Sequence, residues 1–294
     1  MVRDLGFEVA NDVRSYSGIS DRPGVSILAQ MSHARPTRAA EFRFYEELND
    51  FLPAARRKVG FMYPFQGTPA VRDVVQAIGV PHTEIDLVLV DGRSVAFTHR
   101  LLGGERVAVY PAFERLDISP LLSLRPRPLR RICFILDVHL GKLARHLRLL
   151  GLDSAYRQDW DDATLIDHAL AEQRIILTRD VAILKQGRVT HGHWVRSHQP
   201  ACQLEEIIEA FDIRRQLTPF SRCLECNGAI GPVDGAEVAG RVPADIRDRF
   251  DRFWQCAECR RVYWQGSHYR RLVQRVRRFV PELPLEGAGH DAPA

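Results

Sequence analysis

At 294 residues the chain is long for one domain at roughly 150 residues each, so two or three domains are expected. Its 45% hydrophobic content furnishes ordinary cores, no stretch approaches the ~18 apolar residues of a membrane span, and Asp4, Glu8 and Asp12 near the start are unlike a signal peptide. That leaves a cytoplasmic protein with no membrane partner as the expectation. The net charge is only +4, yet all but three of the 41 basic residues are arginine, a composition that tilts toward phosphate-bearing partners and also follows genome composition.

Residues 1–36 show no sustained periodicity and read as disordered, with Met31 as a competing start. Residues 37–118 read as a small α+β unit. Phe42 and Phe44 alternate with polar neighbours in a strand, and Val71, Val74, Val75 and Ile78 recur at helical spacing before Gly79. A hairpin then runs from Ile85 to Val90, through an Asp91-Gly92 turn, to Ser94–Phe97, and Arg106–Tyr110 makes a last strand. This order resembles the β-grasp, ubiquitin-like fold of sulfur carriers. Those carriers act through a C-terminal Gly-Gly, whereas Gly103-Gly104 here precedes the last strand, so a binding module able to recruit a protein partner is expected instead.

Residues 119–131 form a basic Pro/Arg linker, and 132–216 read as a second domain. The apolar run Ile132–Leu136 ends in Asp137, and a helix follows with Leu140, Leu143, Ala144, Leu147 and Leu150 on one face. A short strand at Asp153–Arg157, a helix from Asp162, a strand at Arg174–Thr178 and a helix at Leu204–Phe211 complete an alternation that predicts a three-layer α/β fold with a mostly parallel sheet. Asp137 and Asp180 then stand at the carboxyl edge of that sheet, where open α/β folds bind ligands. Carboxylates gathered there suit Mg²⁺ or Mn²⁺, although an aspartate after a strand also caps helices. Asp153, Asp159, Asp161 and Asp162 compete for a third position, and capping accounts well for Asp162.

Residues 217–280 carry two Cys-x-x-Cys knuckles, Cys223/Cys226 and Cys256/Cys259, a spacing that points to four thiolates around one structural zinc. Two disulfides are the alternative. Gly228 is read as the sharp turn after the first knuckle. Residues 281–294 read as a disordered tail.

The run Phe134-Ile-Leu-Asp137-Val-His-Leu-Gly-Lys142-Leu-Ala-Arg145-His-Leu-Arg148-Leu-Leu-Gly151, followed by Leu177-Thr-Arg-Asp180, resembles the Mut-seven-C family of PIN-like ribonucleases. So do Cys223-Leu-Glu-Cys226-Asn-Gly, the Val262–His268 run after the second knuckle, and Gly79-Val-Pro-His-Thr-Glu84 in the first domain. The resemblance implies catalytic, metal-binding roles for Asp137, Asp180 and, as best match, Asp162; Val138-His139 departs from the pattern at the pocket mouth. Single-stranded RNA is the implied substrate. Lys142, Arg145, Arg148, Arg179, Trp264, His268, Arg270 and Arg271 are the candidate RNA contacts, against the alternative of an ordinary solvated face. The rival to a ribonuclease is a non-catalytic RNA-binding or adaptor protein that uses its β-grasp domain for recruitment.

Overall fold

The computed structural model describes residues 37–111 and 132–282; the readings made for 1–36, the 119–131 linker and the tail beyond 282 lie outside them. In the first domain β1 (Thr37–Phe44) pairs antiparallel with β2 (Phe61–Gln66) and parallel with β5 (Arg106–Pro111). With α1 (Val71–Ile78), β3 (Ile85–Val90) and β4 (Arg93–Ser94), the sheet order is β2-β1-β5-β3-β4, the β-grasp arrangement. The face toward α1 is sealed by Phe42, Phe44, Val71, Val75, Val88 and Val109. Pairing of Val90 with Arg93 leaves Asp91 and Gly92 as a two-residue turn at φ 47 and 80, the type I′ geometry that suits the twist of the strands. β4 stops at Ser94 rather than reaching Phe97: the Val95 N–H still donates to the Val88 carbonyl, but the Phe97 carbonyl accepts from the Arg72 N–H of α1 instead. β2 escapes the sequence reading through Pro64, which has no N–H to donate and is accommodated on an edge strand. Gly103 and Gly104, at φ 99 and 93, turn the chain into β5.

The second domain runs β6 (Phe134–Leu136), α2 (Gly141–Leu149), β7 (Ser154–Ala155), α3 (Asp162–Ala171), β8 (Ile175–Thr178), α4 (Val181–Lys185), β9 (Gly192–Trp194) and α5 (Pro200–Ala210). All four strands are parallel, in the order β7-β6-β8-β9. Because both faces are covered, the strands read as unbroken apolar runs. Phe134, Leu136, Leu143, Leu147, Leu204 and Ile207 build the core on the α2/α5 side; Ile135, Leu165, Ile166, Ile176 and Ile183 build the one on the α3/α4 side. Strand order reverses between β6 and β8, so the crevice at their carboxyl ends is the switch point of the sheet.

The last segment folds as β10 (Ile230–Val233), α6 (Ala244–Arg247), β11 (Phe253–Cys256) and β12 (Val262–Tyr263), an antiparallel three-stranded ribbon, followed by α7 (Ser267–Val276). The ribbon's own core is small, with Val238, Val242 and Phe253 as its buried residues. α7 follows the ribbon in sequence but buries Val273, Val276 and, just beyond its end, Phe279 in the α/β core.

Flanking domains cover both edges of the parallel sheet. On β7 the Ser154 N–H donates to Asn227 Oδ1 at 2.9 Å, and on β9 the Trp194 N–H donates to Glu84 Oε1 at 2.6 Å. Each bond occupies an edge donor that would otherwise invite a foreign strand. Around Glu84 the β-grasp domain adds Arg72 to the Gly187 carbonyl at 2.9 Å, Gln76 to the Lys185 carbonyl at 2.6 Å, and Phe51 against Trp194 at 4.8 Å between ring centres. His82 meets the Val189 carbonyl at 2.9 Å; burial, with Arg72 beside it, draws its pKa down to about 4, so the ring stays neutral at this seam. The face of the β-grasp domain around α1 and Glu84 is thus used within the chain.

Candidate metal centres and nucleic-acid surface

The four knuckle cysteines converge at the root of the ribbon, their sulfur atoms all within 4.8 Å of one another. Cys223 to Cys259 is 3.6 Å and Cys226 to Cys256 is 3.4 Å. A disulfide needs about 2.05 Å, whereas four sulfurs at ~2.3 Å from one tetrahedral ion stand roughly 3.8 Å apart. The disulfide alternative is therefore set aside, and the cysteines are free thiols. Burial pushes Cys256 up to about 12. It also opposes ionisation of Cys223, which hydrogen bonds from the Tyr263 hydroxyl and from the amides of Cys226 and Glu225 nevertheless hold at about 6.

The turn after each knuckle is made by a left-handed residue, Asn227 at φ 71 and Arg260 at φ 61. Gly228, expected to be that turn, is required for another reason: a Cβ there would lie 2.9 Å from Cys256 Sγ.

At the switch point Asp137 follows β6 and is buried, and Asp180 stands just after β8. Thr178 joins them. Its hydroxyl donates to Asp137 Oδ2 at 2.8 Å and accepts from the Asp180 N–H at 2.9 Å. Asp180 Oδ1 caps α4 through the Ala182 N–H at 2.7 Å, and Asp137 Oδ1 takes a longer bond of 3.3 Å from the His139 N–H. Both residues are helix caps and crevice carboxylates at once, so the two readings do not compete. Thr178 was not singled out from sequence, although it lies inside the quoted Leu177-Thr-Arg-Asp180 motif.

The rivals for a third position separate. Asp161, not Asp162, caps α3, accepting the Thr164 N–H at 2.8 Å. Asp153 is bound to Arg174 at 2.6 Å, Arg222 at 3.0 Å and Asn227 at 2.8 Å, and Asp159 pairs with Arg157 at 2.9 Å. Asp162 accepts no hydrogen bond among the described residues. Although its side chain is exposed, its pKa is raised, first by the solvent that the crevice wall removes and then by the charges of Asp180, Asp137 and Asp161. Asp162 therefore senses the charges of Asp180 and Asp137 across the crevice. Among the described residues only the cysteines converge closely enough to hold an ion as they stand. The aspartates would need water to complete the shell, as Mg²⁺ usually does.

That raised pKa carries a stability consequence. The folded state holds the Asp162 proton more tightly than the unfolded chain, so ionisation at neutral pH opposes folding, and the penalty disappears once pH falls below the ordinary carboxylate range. Asp162→Asn should raise Tm at pH 7, and the gain should vanish near pH 3 when melting is followed at both values.

One expected RNA contact is corrected. Arg148, expected to contact RNA, is only 3% exposed and cannot present its guanidinium to a polymer. Its guanidinium donates to the carbonyls of Ser154 at 2.9 Å, Leu224 at 3.1 Å and Glu225 at 2.8 Å, tying α2 and β7 to the first knuckle. Arg179, half-buried, donates to the Ser197 carbonyl at 2.8 Å and meets His198 at 2.8 Å. Arg148→Ala would leave buried carbonyls unpaired and should destabilise the protein by about 3 kcal/mol, measured as a drop in the urea midpoint.

Arg145 pairs with Glu225 at 2.8 Å, while Lys142, His268, Arg270 and Arg271 are exposed and Trp264 packs partly against the ribbon core. Arg145, Trp264, His268 and Arg271 share the wall of one cleft; Lys142, Arg179 and Arg270 are not part of it.

A four-stranded parallel sheet with Asp137 and Asp180 beyond its central strand ends, edged by a β-grasp domain and a four-cysteine ribbon, has the PIN-like architecture. Two family models match the chain: the Mut7-C RNAse domain over residues 132–276 and the Mut7-C ubiquitin domain over residues 37–117. The chain belongs to the Mut7-C family. No curated protein and no solved structure matches it. No helix among the described residues is long and apolar enough to cross a membrane.

Proposed function

We propose that the protein is a metal-dependent ribonuclease that hydrolyses RNA phosphodiester bonds in the switch-point crevice, with Asp137, Asp162 and Asp180 holding Mg²⁺ or Mn²⁺. The observation that carries this reading is the placement of Asp137 and Asp180 at the carboxyl ends of two adjacent parallel strands, joined through the Thr178 hydroxyl and near enough for their charges to reach Asp162, in a family whose matching domain is an RNase domain. Such an ion, when bound, activates water and offsets charge on the phosphodiester. Asp137, fixed through Thr178 and nearly buried, supplies the most rigid ligand; Asp180 keeps Oδ2 clear of its capping bond, and Asp162 brings an uncommitted carboxylate across the crevice. The repulsion that Asp162 feels from Asp180 and Asp137 is what a divalent cation would relieve.

The four thiols are assigned to a structural zinc. They leave no open position for substrate, and they fit a reducing compartment such as the cytoplasm. Single-stranded RNA is the substrate this reading names. The zinc-loaded full chain is to be incubated with a labelled single-stranded RNA pool: cleavage on adding Mn²⁺, and its arrest on depleting Mn²⁺ while zinc stays bound, is the expected result. Binding without cleavage at any Mn²⁺ concentration would leave an RNA-binding adaptor instead.

A further inference from the structure

A cleft of about 1100 Å³ lies between α2, the ribbon sheet and α7, and none of Asp137, Asp162, Asp180 or Thr178 lines it. Its two long walls are chemically different. On the ribbon side, Pro232 pairs with Trp254 and Trp254 with Tyr263, so the three stand side by side across β10, β11 and β12 on one face of the sheet. The alternate residue Phe253 turns to the opposite face and the ribbon core. On the α7 side, His268, Arg271 and Arg275 follow one another at helical spacing, with Val273 and Val276 pointing away into the α/β core. Arg261 adds a further cation.

Charge decides the occupant. Glu225 is the cleft's carboxylate, and it is paired with Arg145 at 2.8 Å. Among the described residues, Arg261, Arg271 and Arg275 have no acidic partner, so the cleft offers aromatic faces opposite uncompensated guanidinium groups. Stacking platforms beside a cationic track are how proteins hold unpaired bases together with their phosphates, and a duplex, its bases already stacked, cannot use them.

We propose that this cleft anchors a single-stranded segment of RNA, its bases against Trp254 and Tyr263 and its phosphates along Arg271 and Arg275. The proposal rests on the ribonuclease reading only in naming RNA as the polymer. α2 links the two places: it begins four residues after Asp137 and carries Arg145 and Leu149 into the cleft wall, over roughly 13 Å of helix. The anchor therefore holds a strand at a distance from the crevice and makes affinity depend on RNA length.

The test is the anisotropy of a fluorescein-labelled single-stranded 12-mer RNA on the zinc-loaded full chain, without added Mg²⁺ or Mn²⁺ so that cleavage plays no part. Arg271→Glu/Arg275→Glu, both exposed and clear of the zinc ligands, should weaken binding at least tenfold and flatten its salt dependence, with zinc content and Tm unchanged. Trp254→Ala should weaken it roughly five- to a hundredfold. Duplex RNA of the same length, or a poly-glutamate of equal charge, should compete poorly. The anchor is overturned if the double variant binds within twofold of wild type, if the wild type does not hold the 12-mer, or if duplex or poly-glutamate competes as well as the single strand. Cleavage by Asp137→Asn is read separately: lost cleavage beside intact binding by the double variant removes the anchor and keeps the hydrolase, and the reverse pattern does the opposite.

Discussion

Stripping the metal from the four-cysteine site should unfold the ribbon and lower the melting temperature of the α/β domain beside it. The ribbon's buried core has only three residues, too few to hold some 50 residues of chain in place. Structural zinc sites of this kind contribute on the order of 10–16 kcal/mol of apparent binding free energy, comparable with or larger than the ~5–15 kcal/mol net stability of a whole domain. The effect should spread, because Asn227 and the carbonyls of Leu224 and Glu225, all in the first knuckle, bond Ser154 and Arg148 of the α/β domain. Elemental analysis should find one zinc per chain, and Cys223→Ser or Cys259→Ser should reproduce the chelator's effect. A chain that purifies without zinc and melts unchanged in chelator would show that the thiols are not a structural metal site.

Asp137→Asn and Asp180→Asn should each lower the RNA cleavage rate by at least about a hundredfold. Either change keeps shape and removes a charged ligand, and the several kcal/mol that a divalent ion supplies to such a reaction correspond to two or more powers of ten. Asparagine keeps an oxygen that can accept from Thr178 or Ala182, so the local fold should persist. RNA affinity should hold or rise slightly, since a negative charge beside the scissile phosphate has gone. Cleavage lost together with affinity would point to damage of the fold instead.

Much of this arrangement is legible in the sequence, and the remainder is hidden for identifiable reasons. The β-grasp hairpin is announced by Asp91-Gly92, and the α/β domain by apolar runs that end in Asp137 and Asp180, because local chemistry dictates both. The edge strand β2 is masked by Pro64, whose meaning depends on whether the strand has a neighbour on that side. Asp161 and Asp162 have equal capping propensity, and only the backbone decides between them: Asp161 is extended at φ −80, ψ 171 and caps, while Asp162 is the first residue of the helix. Arg148 reads as a surface cation because its carbonyl partners Leu224 and Glu225 lie more than seventy residues away. The same distance hides the sealing of the β7 and β9 edges by Asn227 and Glu84.

Whether hydrolysis takes place in the crevice of Asp137, Asp162 and Asp180 is decided by the Mn²⁺-dependent cleavage rate of Asp137→Asn against wild type, with zinc content and RNA affinity matched. A rate reduced at least about a hundredfold at unchanged affinity is the predicted result. Cleavage at the wild-type rate would contradict it, leaving Asp137 as a helix cap and the chemistry elsewhere.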